Sequence, residues 1–324
     1  MVTHMGFEWP HQTIIYNLIF LIEIMDTQNI CIAFFILGTT VDLGGTLIPS
    51  FRQHVMNYGS RGITPNASKD TSIQSKPTNI LQYIGSIQVP HTWFSHYYIV
   101  SVASSIFWAY QIIARGAAFN FLASYSQHDT TKSMTVNQIA LAWGFMALQG
   151  IRRLYESFAL TKPSQSKMWV GLWVVGIAYY IFMGISVWIE GIATLIATEN
   201  PLDLIEISKP SLKTCVAVPL FVIASVIQHE CHEHLASLKK YTFPSHPFFR
   251  YIVCPHYTSE CLLYIAIAIV AAPQGQTLNR TILAGLCFVI SNLGVTADST
   301  RKWYVAKFGV DSSKGRWRML PYVY

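Results

Sequence analysis

Charge is what this chain has least of. Only 12% of its 324 residues are Asp, Glu, Lys or Arg, about half the roughly 25% usual in a soluble domain. With 52% hydrophobic residues and a mean hydropathy of +0.36, a water-soluble fold would have to hide several long apolar runs in one core. Runs of about 20 apolar residues are instead the length of a bilayer crossing. Neither G-x-G-x-x-G nor G-x-x-x-x-G-K-[ST] occurs, so no Rossmann or P-loop site is indicated. The six cysteines, Cys31, Cys215, Cys231, Cys254, Cys261 and Cys287, form no C-x-x-C pair, and most lie in or beside apolar runs. They read as free thiols packed as small hydrophobes, not as a disulfide framework. The first basic residue is Arg52, so the positive n-region of a cleavable signal peptide is missing. The first apolar segment is expected to stay as an anchor. No internal repeat and no low-complexity segment is found.

The apolar runs predict an all-α integral membrane protein with about seven transmembrane helices. One long or broken span falls within 10–48, and others run over about 93–114, 138–150, 168–197, 215–227, 261–272 and 282–297. The fifth is expected to continue as a polar helix to Lys240. Residues 51–88 are rich in Gly, Ser, Pro and Asn and read as a loop. The expected organisation is an N-terminal anchor segment, 1–50, then a polytopic domain, 51–324. Placing the N-terminus on the lumenal side puts seventeen of the 22 Lys and Arg on the cytosolic side, as the positive-inside rule requires. The other five are Arg115, Lys132, Lys209, Lys213 and Arg280. This arrangement gathers three distant basic and aromatic segments on one membrane face: Arg152-Arg153-Leu154-Tyr155-Glu156, the stretch from Gln228 to Glu260, and the C-terminal tail.

The 228–260 stretch is the most polar part of the chain between apolar runs. His229 and His232 are three apart and share a helical face, whereas His234 points elsewhere. The order H-E-C-H-E-H is not H-E-x-x-H, and no second H-x-x-H pair exists. No metal is therefore assigned. Gln228, His232, Ala236 and Lys239 follow i, i+4, i+8, i+11, one stripe of a helix. Amide, imidazole and ammonium on one stripe suit the phosphates and ribose hydroxyls of an organic cofactor. A juxtamembrane helix with solvated charges has the same pattern, and spacing alone leaves both readings open.

Longer motifs narrow the choice. Gln228-x-x-Cys231-His232-x-x-Leu235-x-x-Leu238-Lys239-Lys240, followed by Phe249-x-Tyr251-Ile252-x-x-Pro255-x-Tyr257-x-x-Glu260, resembles the C-terminal part of the steroid 5α-reductase family. The ending from Lys302-Trp303-Tyr304 through Lys314-Gly315-Arg316 to Leu320-Pro321-Tyr322 is similar to that family's ending. Val89-Pro90-x-x-Trp93-Phe94-Ser95-His96-Tyr97-Tyr98-Ile99 and Leu148-x-x-Ile151-Arg152-Arg153-Leu154-Tyr155-Glu156 resemble its polyprenol reductase branch. The resemblance implies a seven-helix bundle that reduces a carbon–carbon double bond with NADPH held at the cytosolic side, chiefly by residues 213–324. It implies cofactor-binding roles at Gln228, His232, Lys239, Tyr251, His256, Glu260, Tyr304 and Arg316, joined by Arg152 and Arg153 from the other motif. The family's substrate-polarising Glu falls at His96. Its Tyr falls at Gly150, so Gln149 or Tyr155 would have to substitute.

The implied reaction is hydride transfer to the β-carbon of an α,β-unsaturated isoprenoid. An allylic alcohol has nowhere to place the developing charge, whereas an enal places it on oxygen, where a donor can stabilise it. His96, Tyr155 and Glu156 are the candidate catalytic residues. The expected product is dolichol for N-glycosylation, made in the endoplasmic reticulum membrane. The expected partners are a long isoprenoid lipid and the bilayer, with no nucleic acid. The alternatives are a steroid or enoyl-thioester reductase, a membrane methyltransferase acting on a prenylated substrate, and a lipid-binding scaffold.

Overall fold

The structure, a computed structural model, describes residues 26–48, 80–126, 129–162, 165–206, 209–239 and 242–324. The expectations for residues 1–25 and for most of the 51–88 loop lie outside these. Helix α1 covers Thr27–Leu47 and α2 covers Ile80–Ser86. A short strand, β1 (Gln88–Pro90), leads into α3 (Ser95–Ile113) and α4 (Ala117–Ser124). Then follow α5 (Val136–Ala159), β2 (Lys167–Trp169), α6 (Val170–Ser186), α7 (Ile192–Ala197), α8 (Leu212–Ser237), α9 (Pro255–Val270) and α10 (Arg280–Phe308). β1 and β2 pair antiparallel with Gln88 opposite Trp169, so α3 and α6 start from the same end of the bundle.

Among the described residues four segments are long and apolar enough to cross a membrane: Thr27–Leu47, Val170–Ala197, Leu212–Ser237 and Arg280–Phe308. A fifth is His91–Ile113 with Ala117–Ser124, if that pair, bent by 80°, counts as one span. Of the expected seven, four or five meet this measure among the described residues. The two that fall short have clear reasons. α5 carries Arg152, Arg153 and Glu156 in its second half. α9 has 16 residues, about 24 Å of helix against a hydrocarbon core of about 30 Å.

The sequence explains why these helices start and pack where they do. Thr135 and Gln138 form a capping box at the start of α5, and Gln138 also donates to the carbonyls of Val270 and Ala272 at the end of α9. Asn279 caps α10 by accepting from the Ile282 N–H. Glu190 accepts from both the N–H and the hydroxyl of Thr281 at 2.7 Å, which sets a carboxylate against a helix N-terminus. Ring stacking ties helices together: Phe34 on Phe182 at 4.2 Å and Phe145 on Phe221 at 4.1 Å. Trp188, Phe35, Phe119, Met134 and Met183 are fully buried between them.

Candidate active site

The second half of α5, the end of α8 and the start of α9 meet at one end of the bundle. The expected span 138–150 ends before Arg152, but the helix runs on to Ala159. This places Arg152, Arg153 and Glu156 at i, i+1 and i+4 and lets both guanidiniums turn back onto the carboxylate. Arg152 reaches Glu156 Oε1 at 2.5 Å, and Arg153 reaches Oε2. From α8, His229 Nδ1 lies 2.7 Å from Oε1 and His232 Nδ1 lies 2.7 Å from Oε2. A carboxylate only accepts, so His229 presents its Nδ1 proton to it, while His232 Nδ1 also lies 2.7 Å from Arg153 Nη1, which only donates. The shared face predicted for His229 and His232 is thus turned towards a carboxylate.

A second carboxylate completes the cluster. Glu260 Oε2 accepts from the side-chain amides of Gln149 and Gln228. Gln149 also donates to Gln228 at 3.1 Å, and Arg152 donates to the amide oxygens of both. Gln228 donates to the His256 carbonyl at 3.2 Å. Glu156 and Gln228 are each only 2% exposed. Glu156 lies past the apolar part of α5. Burial raises its carboxyl, but His232, Arg153 and Arg152 outweigh this and hold it well below the usual carboxylate range.

The tail is fastened to the same end. Trp317 forms a parallel bridge with Ile252, and the N–H groups of Val253 and Cys254 donate to the carbonyls of Trp317 and Arg318. Asp298 on α10 pairs with Arg318 at 2.9 Å and Lys302 at 2.7 Å. The Arg316 guanidinium lies 4.6 Å from the centre of the Phe243 ring, which packs on buried Tyr304 at 5.0 Å. The three segments expected to converge therefore do share one end of the bundle.

Other expected residues sit elsewhere. α8 ends at Ser237 and Leu238 is extended, so Lys239 leaves the stripe and stands exposed. The cause is His234, whose Nε2 accepts from the N–H groups of Ser245 and His246 and folds the following loop back. Tyr251 is exposed and has the Arg250 guanidinium over its ring at 5.2 Å. His96 is half-buried against Trp93 and Trp173, at 5.3 and 6.0 Å, away from the cluster. Tyr155 is 62% exposed and outside it. Gly150 packs against α3, where a Cβ would come within 2.8 Å of Ser101 Oγ. The residue not foreseen is Tyr98, 5% exposed. Its hydroxyl accepts from Arg153 at 2.7 Å, and the guanidinium lies 4.8 Å from its ring centre. Gln149, considered only as a substitute, proves central.

The donor set fits a phosphate-bearing nucleotide better than a metal. Among the described residues no group of three or more His, Cys, Asp or Glu is placed to hold a metal ion. The Nε of Arg152 is buried without a hydrogen-bond partner, a group that an added acceptor would satisfy. Residues 206–324 match the family model described as 3-oxo-5-alpha-steroid 4-dehydrogenase. The chain is 26% identical to polyprenal reductase 1 of Arabidopsis thaliana over 312 residues, covering 85% of this chain and 89% of that one. It is 25% identical to polyprenal reductase of Saccharomyces cerevisiae over 293 residues, covering 90% and 93%. It is also 25% identical to polyprenal reductase of Caenorhabditis elegans over 258 residues, covering 74% and 81%. With a match to that family's model over its C-terminal part, and similarity to these reductases over most of its length, the chain is similar to the steroid 5α-reductase family.

Proposed function

We propose that this protein is a membrane oxidoreductase that reduces the α-isoprene double bond of a polyprenal in dolichol synthesis, using NADPH. The observation that carries the reading is the buried Arg152–Arg153–Glu156–Glu260 cluster in a family of nicotinamide-dependent reductases. Arg152, Arg153, Gln228, His232, His256 and Glu260 would hold the cofactor at the cluster. Lys239, Tyr251, Tyr304 and Arg316 would border it, so the cofactor part is 213–324 with α5 added. The bound dinucleotide supplies the hydride; the protein supplies binding, orientation and exclusion of water. Glu156 fixes the two guanidiniums and the two imidazoles, and so acts as an orienting residue. His96 borders the aromatic side towards α6, where an isoprenoid enters from the bilayer. We place the protein in the endoplasmic reticulum membrane with the cluster end cytosolic.

The test uses purified protein in micelles with a polyprenal, the matching polyprenol, a 3-oxo-Δ4 steroid and an enoyl thioester, each with NADPH or NADH. Saturated aldehyde from the polyprenal with NADPH supports the reading. Turnover of the steroid or the thioester alone would replace it. Cells lacking the protein should accumulate polyprenol-type lipid and lose dolichol.

A further inference from the structure

Apart from the Arg152 Nε–H, which has no partner, nearly every polar hydrogen in the cluster already has an acceptor inside it. Gln149 donates to Gln228 and to Glu260, and Gln228 donates to Glu260 and to the His256 carbonyl. Arg153 donates to Glu156 and Tyr98. His229 and His232 direct Nδ1 to Glu156. Tyr98 is different. Its oxygen accepts from Arg153, and among the described residues no acceptor receives its own proton. A phenol that accepts from a guanidinium is polarised and becomes a stronger donor through its O–H.

The surroundings of Tyr98 place this proton at a boundary. Arg153 and the ionic layer lie on one side. On the other are the rings of Phe94 at 5.7 Å and Tyr180 at 5.8 Å. Tyr180 continues to Tyr179 at 5.3 Å, and Tyr179 to Tyr264 at 6.2 Å. Tyr264 is one helical turn below Glu260 on α9. An aromatic floor thus lies beneath the charges, at the level where an apolar lipid with a polar head would place its carbonyl.

Resting on the reductase reading above, we propose that Tyr98 is the catalytic hydrogen-bond donor to the carbonyl oxygen of the enal. Hydride adds to the β-carbon, the C=C electron pair shifts, and the carbonyl oxygen becomes an enolate oxygen held by the Tyr98 O–H. A proton from solvent then adds at the α-carbon and the carbonyl re-forms. One hydride and one proton have been added across the double bond, and Tyr98 ends as it began. Beside apolar rings such a donor stabilises the enolate more than the neutral carbonyl, because the charge develops on oxygen as the reaction proceeds.

The experiment compares wild type, Tyr98→Phe and a protein carrying 3,5-difluorotyrosine at 98. A short isoprenoid enal is the probe. The expected result for Y98F is a fall in kcat of about 10²- to 10³-fold, with unchanged NADPH affinity by fluorescence quenching. The carbonyl stretch of the enal bound with oxidised cofactor should sit below the free value in wild type and move back towards it in Y98F, which a structural role alone would not cause. The more acidic fluorinated phenol should push that stretch lower still, and it carries the test if Y98F does not fold. Y98F activity within about threefold of wild type, or a stretch indifferent to both changes, overturns the assignment while leaving the reductase reading intact. No enal reduction by the wild type overturns both.

Discussion

Replacing Glu156 by Gln tests the cluster most directly. The substitution keeps shape and volume but removes the one charge that faces Arg152, Arg153, His229 and His232 together. With Glu156 2% exposed and the two arginine side chains 18% and 16% exposed, the guanidiniums cannot simply turn into water. Breaking one partner of a buried pair costs about 3–5 kcal/mol, and we expect E156Q to lose stability in that range. An SDS titration in micelles, followed by tryptophan fluorescence, measures it. The pH dependence has a defined sign. The folded carboxyl lies below its usual range, so its stabilisation is fully present above the unfolded value of about 4.3. It is lost only as pH falls towards the folded value. The difference between wild type and E156Q should therefore be constant from about pH 6 to 8. A loss under about 1 kcal/mol, or a difference that shrinks as pH rises within that window, would refute the picture of a buried carboxylate holding two arginines.

Two further predictions concern other parts of the bundle. Thr281→Val removes the hydroxyl donated to Glu190 and should cost about 1–3 kcal/mol of stability while leaving NADPH affinity unchanged, since Thr281 begins α10 at the end away from the cluster; a loss of cofactor affinity would contradict that separation. Asp298→Asn weakens the pairing of Arg318 and Lys302 to α10, and at ~1.5 kcal/mol for a charged hydrogen bond trypsin should cut after Arg316 or Arg318 about tenfold faster, whereas an unchanged cutting rate would mean that the tail is held by its backbone bridge alone.

Much of this was legible in the residues. The apolar runs show the helices because burial in lipid or protein leaves a direct compositional trace, and the spacing of Gln228, His229 and His232 shows a polar face at the end of α8. Arg152 and Glu156 at i, i+4 announce an ion pair. What spacing cannot show is which helix faces which. Tyr98 belongs to the cluster because α3 packs on α5, and nothing in the VPHTWFSHYYIV segment separates it from Tyr97, which turns instead to the Leu172 carbonyl. A clue about Tyr155 was available: it is two residues from Arg153, a spacing that puts side chains on different sides of a helix. Lys239 was drawn into the stripe because helical periodicity carries no mark of the turn that His234 imposes by binding the loop. The shortfall from seven spans reflects α5 and α9, whose polar content and length serve the cluster rather than the lipid.

In the cluster two guanidiniums meet two carboxylates, so with neutral imidazoles its centre carries no net charge. Long-range attraction for a polyanion must come from the exposed lysines at that end, Lys239, Lys302, Lys307 and Lys314, where ions in the buffer screen it. Ionic strength should then slow capture of a dinucleotide while barely altering how long it stays, so affinity would drift with salt through the association rate alone.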